Sequence, residues 1–351
     1  MVVVRNDWGD LVSEIAKIWE ISEARRVIIV TDVNVEALYA AQIWESLSGG
    51  TNWHLEMLTL PAGEAAKDFG NLGKILTIFH EAGLDRSSLV FALGGGVISD
   101  IAGFAASIYM RGIDYVNLPT TLLAQVDASI GGKTAIDFAG VKNLIGSFRH
   151  PRLIYANLAT LDSLPRREFI SGLSEVVKYG IIKDRALLDF LHENKEAITM
   201  RGADALAHIV ARCCAIKSEI VAADEKEANL RQILNFGHTF GHAIESLLNF
   251  SLPHGHAVSL GMVCALDYSV RHLGLSAKEA DFAAQLLEGF GLPTALAGLC
   301  PEEIYAQMLK DKKARNGQLT LILTPQPGQA EIVRNPARAE VLRSIKTILR
   351  G

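Results

Sequence analysis

Two stretches, Asn235-Phe236-Gly237-His238-Thr239-Phe240-Gly241-His242 and Pro253-His254-Gly255-His256, gather four of the chain's 10 histidines. Positions four apart on a helix share one face, one turn apart, so His238 and His242 can act together. Upstream stands Glu175, with Lys178 on the same helical face three residues later. Neutral imidazole nitrogens and a carboxylate oxygen are the usual donors for a zinc-type ion, and a catalytic site keeps one position open. The spacing differs in one respect from the H-E-x-x-H zinc helix. Thr239 occupies the place of that motif's general-base glutamate, which argues against a peptidase of that kind. Two histidines alone would read as structural. Four of them, with glycines that let a partner approach closely, point to a metal or anion site.

The elements that must carry these residues follow from hydrophobic periodicity. Arg26 to Thr31 is β-branched and apolar, as in a strand buried on both faces, and ends at Asp32-Val33-Asn34. Helical spacing follows an N-terminal helix over Leu11 to Trp19 and resumes from Val35 to Leu47. Trp53 to Leu60 is a second strand. After a turn at Pro61 to Glu64, a helix carrying Lys67 runs to about Glu81. Ser88 to Leu93 is a third strand, leading into Gly94-Gly95-Gly96 and a helix containing Asp100. Tyr115 to Leu118 is a fourth. Such alternation implies a parallel sheet of nucleotide-binding type.

Near Pro151 to Pro165 the pattern turns helical. Helices are expected over Glu168 to Gly180, Arg185 to Leu191, Asp204 to Ala223, Ala228 to Ser246, Ala257 to Leu273, Ala277 to Phe290 and Pro301 to Leu309. A hairpin around Pro325 to Gln329 and a last helix over Ala337 to Leu349 complete the chain. The fold class is therefore an α/β Rossmann-like nucleotide-binding domain, 1–158, followed by a mostly α-helical metal- and substrate-binding domain, 159–351.

Two glycine-rich segments suit anions. The triglycine between strand and helix lets backbone approach a phosphate at a helix N-terminus, or simply makes a tight turn. Asp32 at a strand end could hold a ribose or cap the next helix. Asp127 to Thr134 ends in Gly131-Gly132-Lys133-Thr134, but Asp127 replaces the first glycine of a P-loop, so an NTPase is rejected. The segment reads as an anion-binding loop or as a hairpin turn with solvated lysines. Asp224 to Glu227 reads as a solvated turn.

Composition narrows the classes. At 49% hydrophobic and 21% charged, the chain is globular. A net charge of -5 disfavours nucleic acid as a partner. Cys213, Cys214, Cys264 and Cys300 form no C-x-x-C pair, so reduced thiols and a cytoplasmic setting are expected. The opening MVVVRNDWGD has neither a signal-peptide core nor a spanning segment, and no membrane partner is expected.

GGGVISD, YMRG, LPTTLLAQVDASIGGKTAID, VKNLIG, SEVVKYG, LNFGHTFGHAIE and PHGHAVSLGM occur in that order. With these blocks the chain resembles the 3-dehydroquinate synthases of the sugar phosphate cyclase superfamily over nearly its whole length. The resemblance implies a divalent metal, Zn2+ or Co2+, held by Glu175, His238 and His254. It implies NAD at Asp32, Asn34, Glu64, Lys67, Gly94, Gly95, Gly96, Asp100, Thr120, Thr121, Lys133, Lys142 and Ser163. Substrate residues would be Asp127, Lys133, Asn143, Lys178, Lys217, Arg231, Asn235, His242 and Lys312 of the Lys312-Lys313 pair. His242 would touch phosphate or shuttle a proton. Arg111 matches an arginine that a neighbouring subunit lends to the phosphate, which implies a homodimer.

The implied reaction is the phosphate-eliminating lyase step of the shikimate pathway. It converts 3-deoxy-D-arabino-heptulosonate 7-phosphate to 3-dehydroquinate by oxidation, phosphate elimination, re-reduction, ring opening and aldol closure. The lysines and Arg231 suit a substrate bearing phosphate and carboxylate. Two departures from the family pattern stand out: His256 replaces a usual Glu, and Ser163 a common Thr. His256 reads as a pocket wall ahead of an extra imidazole near the metal. A sister cyclase acting on sedoheptulose 7-phosphate or glucose 6-phosphate ranks behind, since those substrates lack the carboxylate. A polyol dehydrogenase would not need the lysines, and a nucleotide-sensing protein would not need the metal ligands.

Overall fold

A computed structural model of the chain describes residues 1–310 and 319–349. It comprises two compact units, Met1–Leu164 with Leu206–Lys217, and Pro165–Ala205 with Ser218–Gly351. The helix Ala203–Ala223 contributes to both.

In chain order the first unit's strands are β1 (Val2–Arg5), β2 (Arg25–Asp32), β3 (Trp53–Leu60), β4 (Leu89–Gly94), β5 (Asp114–Pro119), β6 (Lys133–Phe138), β7 (Val141–Phe148) and β8 (Leu153–Asn157). Six of them form one sheet in the order β1-β8-β5-β4-β2-β3, and every pairing in it is parallel. Successive strand residues feed opposite faces, as the two-residue strand period requires. Ile28, Val30, Val90 and Ala92 pack with the helices Phe69–Glu81 and Gly96–Ile108. Val27, Ile29, Leu89, Phe91 and Leu93 pack with Leu11–Ala16 and Ala41–Gly50 on the other side. Both faces are covered, which is why these strands read as continuous apolar runs.

The expected count of four strands is corrected to six in this sheet. β1 and β8 pair with each other, and β8 also pairs with β5. Both are short, and β8 follows Pro151, where the sequence pattern is already turning helical. The remaining pair, β6 and β7, is an antiparallel hairpin. Its two-residue loop, Ala139-Gly140, has φ of 51° and 74°, the positive values that a two-residue hairpin turn demands.

The second unit is built from helices, among them Arg166–Ile182, Arg185–Glu193, His238–Leu247, His254–His272, Ala277–Gly289, Pro301–Lys310 and Arg338–Thr347. The late hairpin is present, pairing Thr320–Leu323 with Glu331–Arg334 antiparallel. Two helix expectations need correction. The span Ala228 to Ser246 is not one helix: a 3-10 segment over Leu230–Asn235 ends before Gly237, whose φ of 76° suits glycine, and the α-helix starts at His238. Lys67 also precedes its helix, which starts at Phe69 with Asp68 as N-cap to Asn71. Among the described residues, no helix is long and apolar enough to cross a membrane.

Candidate functional site

The second unit assembles the histidine cluster from three helices. Glu175 lies inside Arg166–Ile182, His238 opens the helix His238–Leu247, and His254 opens the helix His254–His272. Close helix approach makes this geometry possible. A Cβ on Gly255 would lie 1.9 Å from the Ser171 carbonyl oxygen, and one on Gly261 would lie 1.9 Å from that of Gly237. Backbone contact at those two points leaves room for only a hydrogen.

The Glu175 carboxylate is fully buried. Its Oε2 accepts a hydrogen bond from Lys178 Nζ, as their three-residue spacing allows. Its Oε1 has no hydrogen-bond partner among the described residues, and lies 3.6 Å from His238 Nε2 and 3.8 Å from His254 Nε2. A buried, unsatisfied carboxylate oxygen is costly unless something positive completes its shell. The His238 ring is oriented by its Nδ1, 3.1 Å from the Phe236 carbonyl oxygen, and the His254 ring by its Nδ1, 3.2 Å from Glu245 Oε2. Both rings thus present Nε2 to Glu175. The three donors fit a tetrahedral-type cation with an open position.

His242 is the third imidazole of the cluster, with ring centroids 5.3 Å from His238 and 5.9 Å from His254. His256 belongs to neither group of metal-type donors among the described residues. Burial, helped by Arg167, lowers its pKa below the ordinary histidine value. Two features escaped the sequence reading. Glu245 is buried at 3% exposure; its spacing from His238 and His242 already put it on their helical face. Glu227, assigned to a solvated turn, is half-buried and accepts a hydrogen bond from Asn235 Nδ2. In the same turn Asp224 accepts from the backbone N–H groups of Ala228, Asn229 and Arg231. Arg231 is buried and donates to the Glu225 carbonyl.

The first unit gathers its expected residues at the carboxyl edge of the sheet. Asp32 ends β2, Glu64 and Lys67 follow β3, Gly94 ends β4, Thr120 and Thr121 follow β5, and Ser163 follows β8. The chain adds β3 on one side of β2 and then β4 on the other, so the order reverses there. Parallel α/β sheets bind ligands at the carboxyl ends flanking such a point. Asp32 does cap the following turn, accepting from Asn34 and Val35 N–H. Packing accounts for Gly94, where a Cβ would meet Ile98 Cβ at 2.8 Å. An added Cβ at Gly95 would meet Thr121 Cγ2 at 3.1 Å and Oγ1 at 3.6 Å, and one at Gly96 the Ala128 methyl at 3.1 Å, beside the N-terminus of Gly96–Ile108. Thr120 Oγ1 is buried there with no hydrogen-bond partner among the described residues.

Lys67 is the hub of this edge. Its Nζ lies 2.8 Å from Asp100 and 3.2 Å from Glu64, and donates to Asn143 Oδ1. Burial pulls the Lys67 pKa down, but Asp100 and Glu64 outweigh it, so the ammonium stays charged well above the ordinary range. Asn143 has φ of 53° and donates its N–H to Asp137. The segment before β6 turns through Gly131 and Gly132, so Lys133 and Lys142 stand on hairpin strands and not in a P-loop. Lys217 lies 2.8 Å from Asp127 Oδ1 and also donates to its carbonyl. Arg111 is exposed in a positive-φ turn, 49° at Met110 and 70° at Arg111. Lys312 lies outside the described residues.

A doubly covered parallel sheet with a glycine turn at its switch point, followed by helices converging on one carboxylate and two imidazoles, is the fold of the sugar phosphate cyclases. The structure is similar to 2-epi-5-epi-valiolone synthase from Streptomyces hygroscopicus, solved with NAD+ and Zn2+ bound. The TM-score is 0.90 at 28% identity, covering 99% of this chain and 96% of that one. Residues 57–171 match the 3-dehydroquinate synthase N-terminal family model and residues 172–314 the 3-dehydroquinate synthase C-terminal one. Among curated relatives, a 3-dehydroquinate synthase of Rhodospirillum rubrum is 46% identical over 332 residues, 92% of this chain and 85% of that protein. One from Xylella fastidiosa is 45% identical over 326 residues, 90% of this chain and 88% of that protein. The chain belongs to the 3-dehydroquinate synthase family.

Proposed function

We propose that this chain is a carbon–oxygen lyase that converts 3-deoxy-D-arabino-heptulosonate 7-phosphate to 3-dehydroquinate and phosphate, using NAD and a divalent metal. The observation that carries the reading is the buried Glu175 Oε1 facing two imidazole Nε2 atoms. Family membership supplies the substrate class.

Glu175, His238 and His254 would hold Zn2+ or Co2+, which as a Lewis acid eases ionisation of a substrate hydroxyl. NAD would be held at the carboxyl edge of the sheet by Asp32, Asn34, Glu64, Lys67, Gly94, Gly95, Gly96, Asp100, Thr120, Thr121, Lys133, Lys142 and Ser163, where it supplies reversible hydride transfer. In the first unit Lys133, Lys217 and Asn143 are assigned to substrate anions, with Asp127 fixing the Lys217 ammonium. In the second, Lys178, Arg231 and Asn235 are assigned the same work, and His242 contacts phosphate or moves a proton. Holding charged groups in fixed positions is the main contribution such residues make, because several intermediates must each be oriented in turn.

The partner is a second copy of this chain. Arg111 lies in a positive-φ turn next in sequence to exposed Ile108 and Met110, apolar surface that a dimer would cover. The setting is cytoplasmic, in keeping with four free cysteines.

Phosphate release from the seven-carbon acid phosphate tests the reading, with NAD substoichiometric and zinc present. Phosphate should accumulate over many turnovers while NADH absorbance stays flat. Stoichiometric NADH would instead indicate a polyol dehydrogenase, and turnover of sedoheptulose 7-phosphate alone a sister cyclase. Full metal content and full activity in His238→Ala would defeat the ligand assignment.

A further inference from the structure

We infer that Glu245 is a positioning residue for the metal centre, acting through the His254 ring. The inference rests on the reading of Glu175, His238 and His254 as metal ligands and adds a residue that supports one of them. Glu245 is 3% exposed, in the helix His238–Leu247, and its Oε2 lies 3.2 Å from His254 Nδ1. A carboxylate can only accept, so Nδ1 carries the hydrogen and Nε2 keeps its lone pair for the Glu175 side. The two histidines are held differently. His238 is fixed by the Phe236 backbone carbonyl, which no substitution removes, whereas His254 depends on a side chain. His254 is also the more exposed ring, 30% against 11%, so packing restrains it less. An ionised acceptor holds the ring more firmly than a neutral carbonyl and makes Nε2 a better donor. One atom each from His242, Glu245 and His254 lie within 4.8 Å of one another, so the same carboxylate also stands beside the third imidazole.

The test measures metal affinity by chelator competition and records visible spectra of the Co2+-loaded full chain for wild type, Glu245→Gln, Glu245→Ala, His254→Ala and the double variant Glu245→Ala/His254→Ala. Loss of the carboxylate should weaken Co2+ and Zn2+ binding ~10–100-fold, the range seen when partners of metal-bound histidines are removed. The cobalt bands should shift in Glu245→Gln, which keeps volume and an acceptor oxygen and carries the test if Glu245→Ala does not fold. In the His254→Ala background, Glu245→Ala should add little. Wild-type affinity and an unshifted spectrum in folded Glu245→Gln would overturn the role of Glu245 alone. An equal loss from Glu245→Ala with and without His254 would show that it does not act through that ring. If His254→Ala bound metal as wild type does, the ligand reading would fall, and this inference with it.

Discussion

Lys178 sets the charge balance of Glu175, because the two are buried together at 1% and 0% side-chain exposure. Removing one partner of a buried ion pair strands the other charge at a cost of about 3–5 kcal/mol. Lys178→Met should therefore lower the stability of the chelator-treated protein by about that amount. A bound cation would give Glu175 a new partner, so added zinc should recover much of the loss. Thermal denaturation with chelator and with zinc separates the cases. An equal loss in both would mean that Lys178 contributes by packing instead of by charge. Residue type and spacing made a carboxylate and four imidazoles legible as candidate donors, and the family resemblance singled out Glu175, His238 and His254 among them. The orphaned Oε1 was not, since which oxygen Lys178 takes depends on rotamers fixed by packing.

Helix approach decides whether those ligands converge. Gly255→Ala would put a methyl against the Ser171 carbonyl at 1.9 Å and Ser174 Oγ at 2.4 Å, so the helix His254–His272 must move away from Arg166–Ile182. Forcing a methyl into a packed contact costs about 1–3 kcal/mol. Because Gly255 adjoins His254, zinc affinity should fall with stability. Gly73→Ala is the control. It lies inside the helix Phe69–Glu81 with no atom within 4 Å of the added Cβ, so it should raise stability by about 0.5–1 kcal/mol. Unchanged zinc affinity in Gly255→Ala would show that the helix contact does not set the site. The glycines were visible in the sequence as permitting close approach, but not which backbone each would meet.

For the molecule as a whole, the dimer reading predicts activity from two inactive parents. Arg111→Ala subunits mixed with Lys133→Ala subunits should recover activity, since half the sites of a mixed dimer would keep both groups. No recovery after demonstrated subunit exchange would place Arg111 in its own chain's site or remove the dimer from the mechanism. An exposed arginine that serves only its turn would instead give a stability change within about ±0.5 kcal/mol and no complementation.

By itself the sequence determined the order of strands and helices from Leu11 through Leu118, the helical character of the second half and the residue types that cluster as candidate metal-type donors. Those depend on local periodicity and residue chemistry, which a chain displays wherever it folds. Tertiary structure decided that Val2–Arg5 and Leu153–Asn157, distant in sequence, complete one sheet, because a short strand is defined by its partner more than by its own residues. It decided that Gly237 ends one segment so that His238 starts a helix, and that Glu245, Phe236 and Lys178 each take one atom of the donor groups. Such choices arise only when several elements compete for the same buried polar atoms, which packing shares out among them and which at Glu175 leaves Oε1 for a cation.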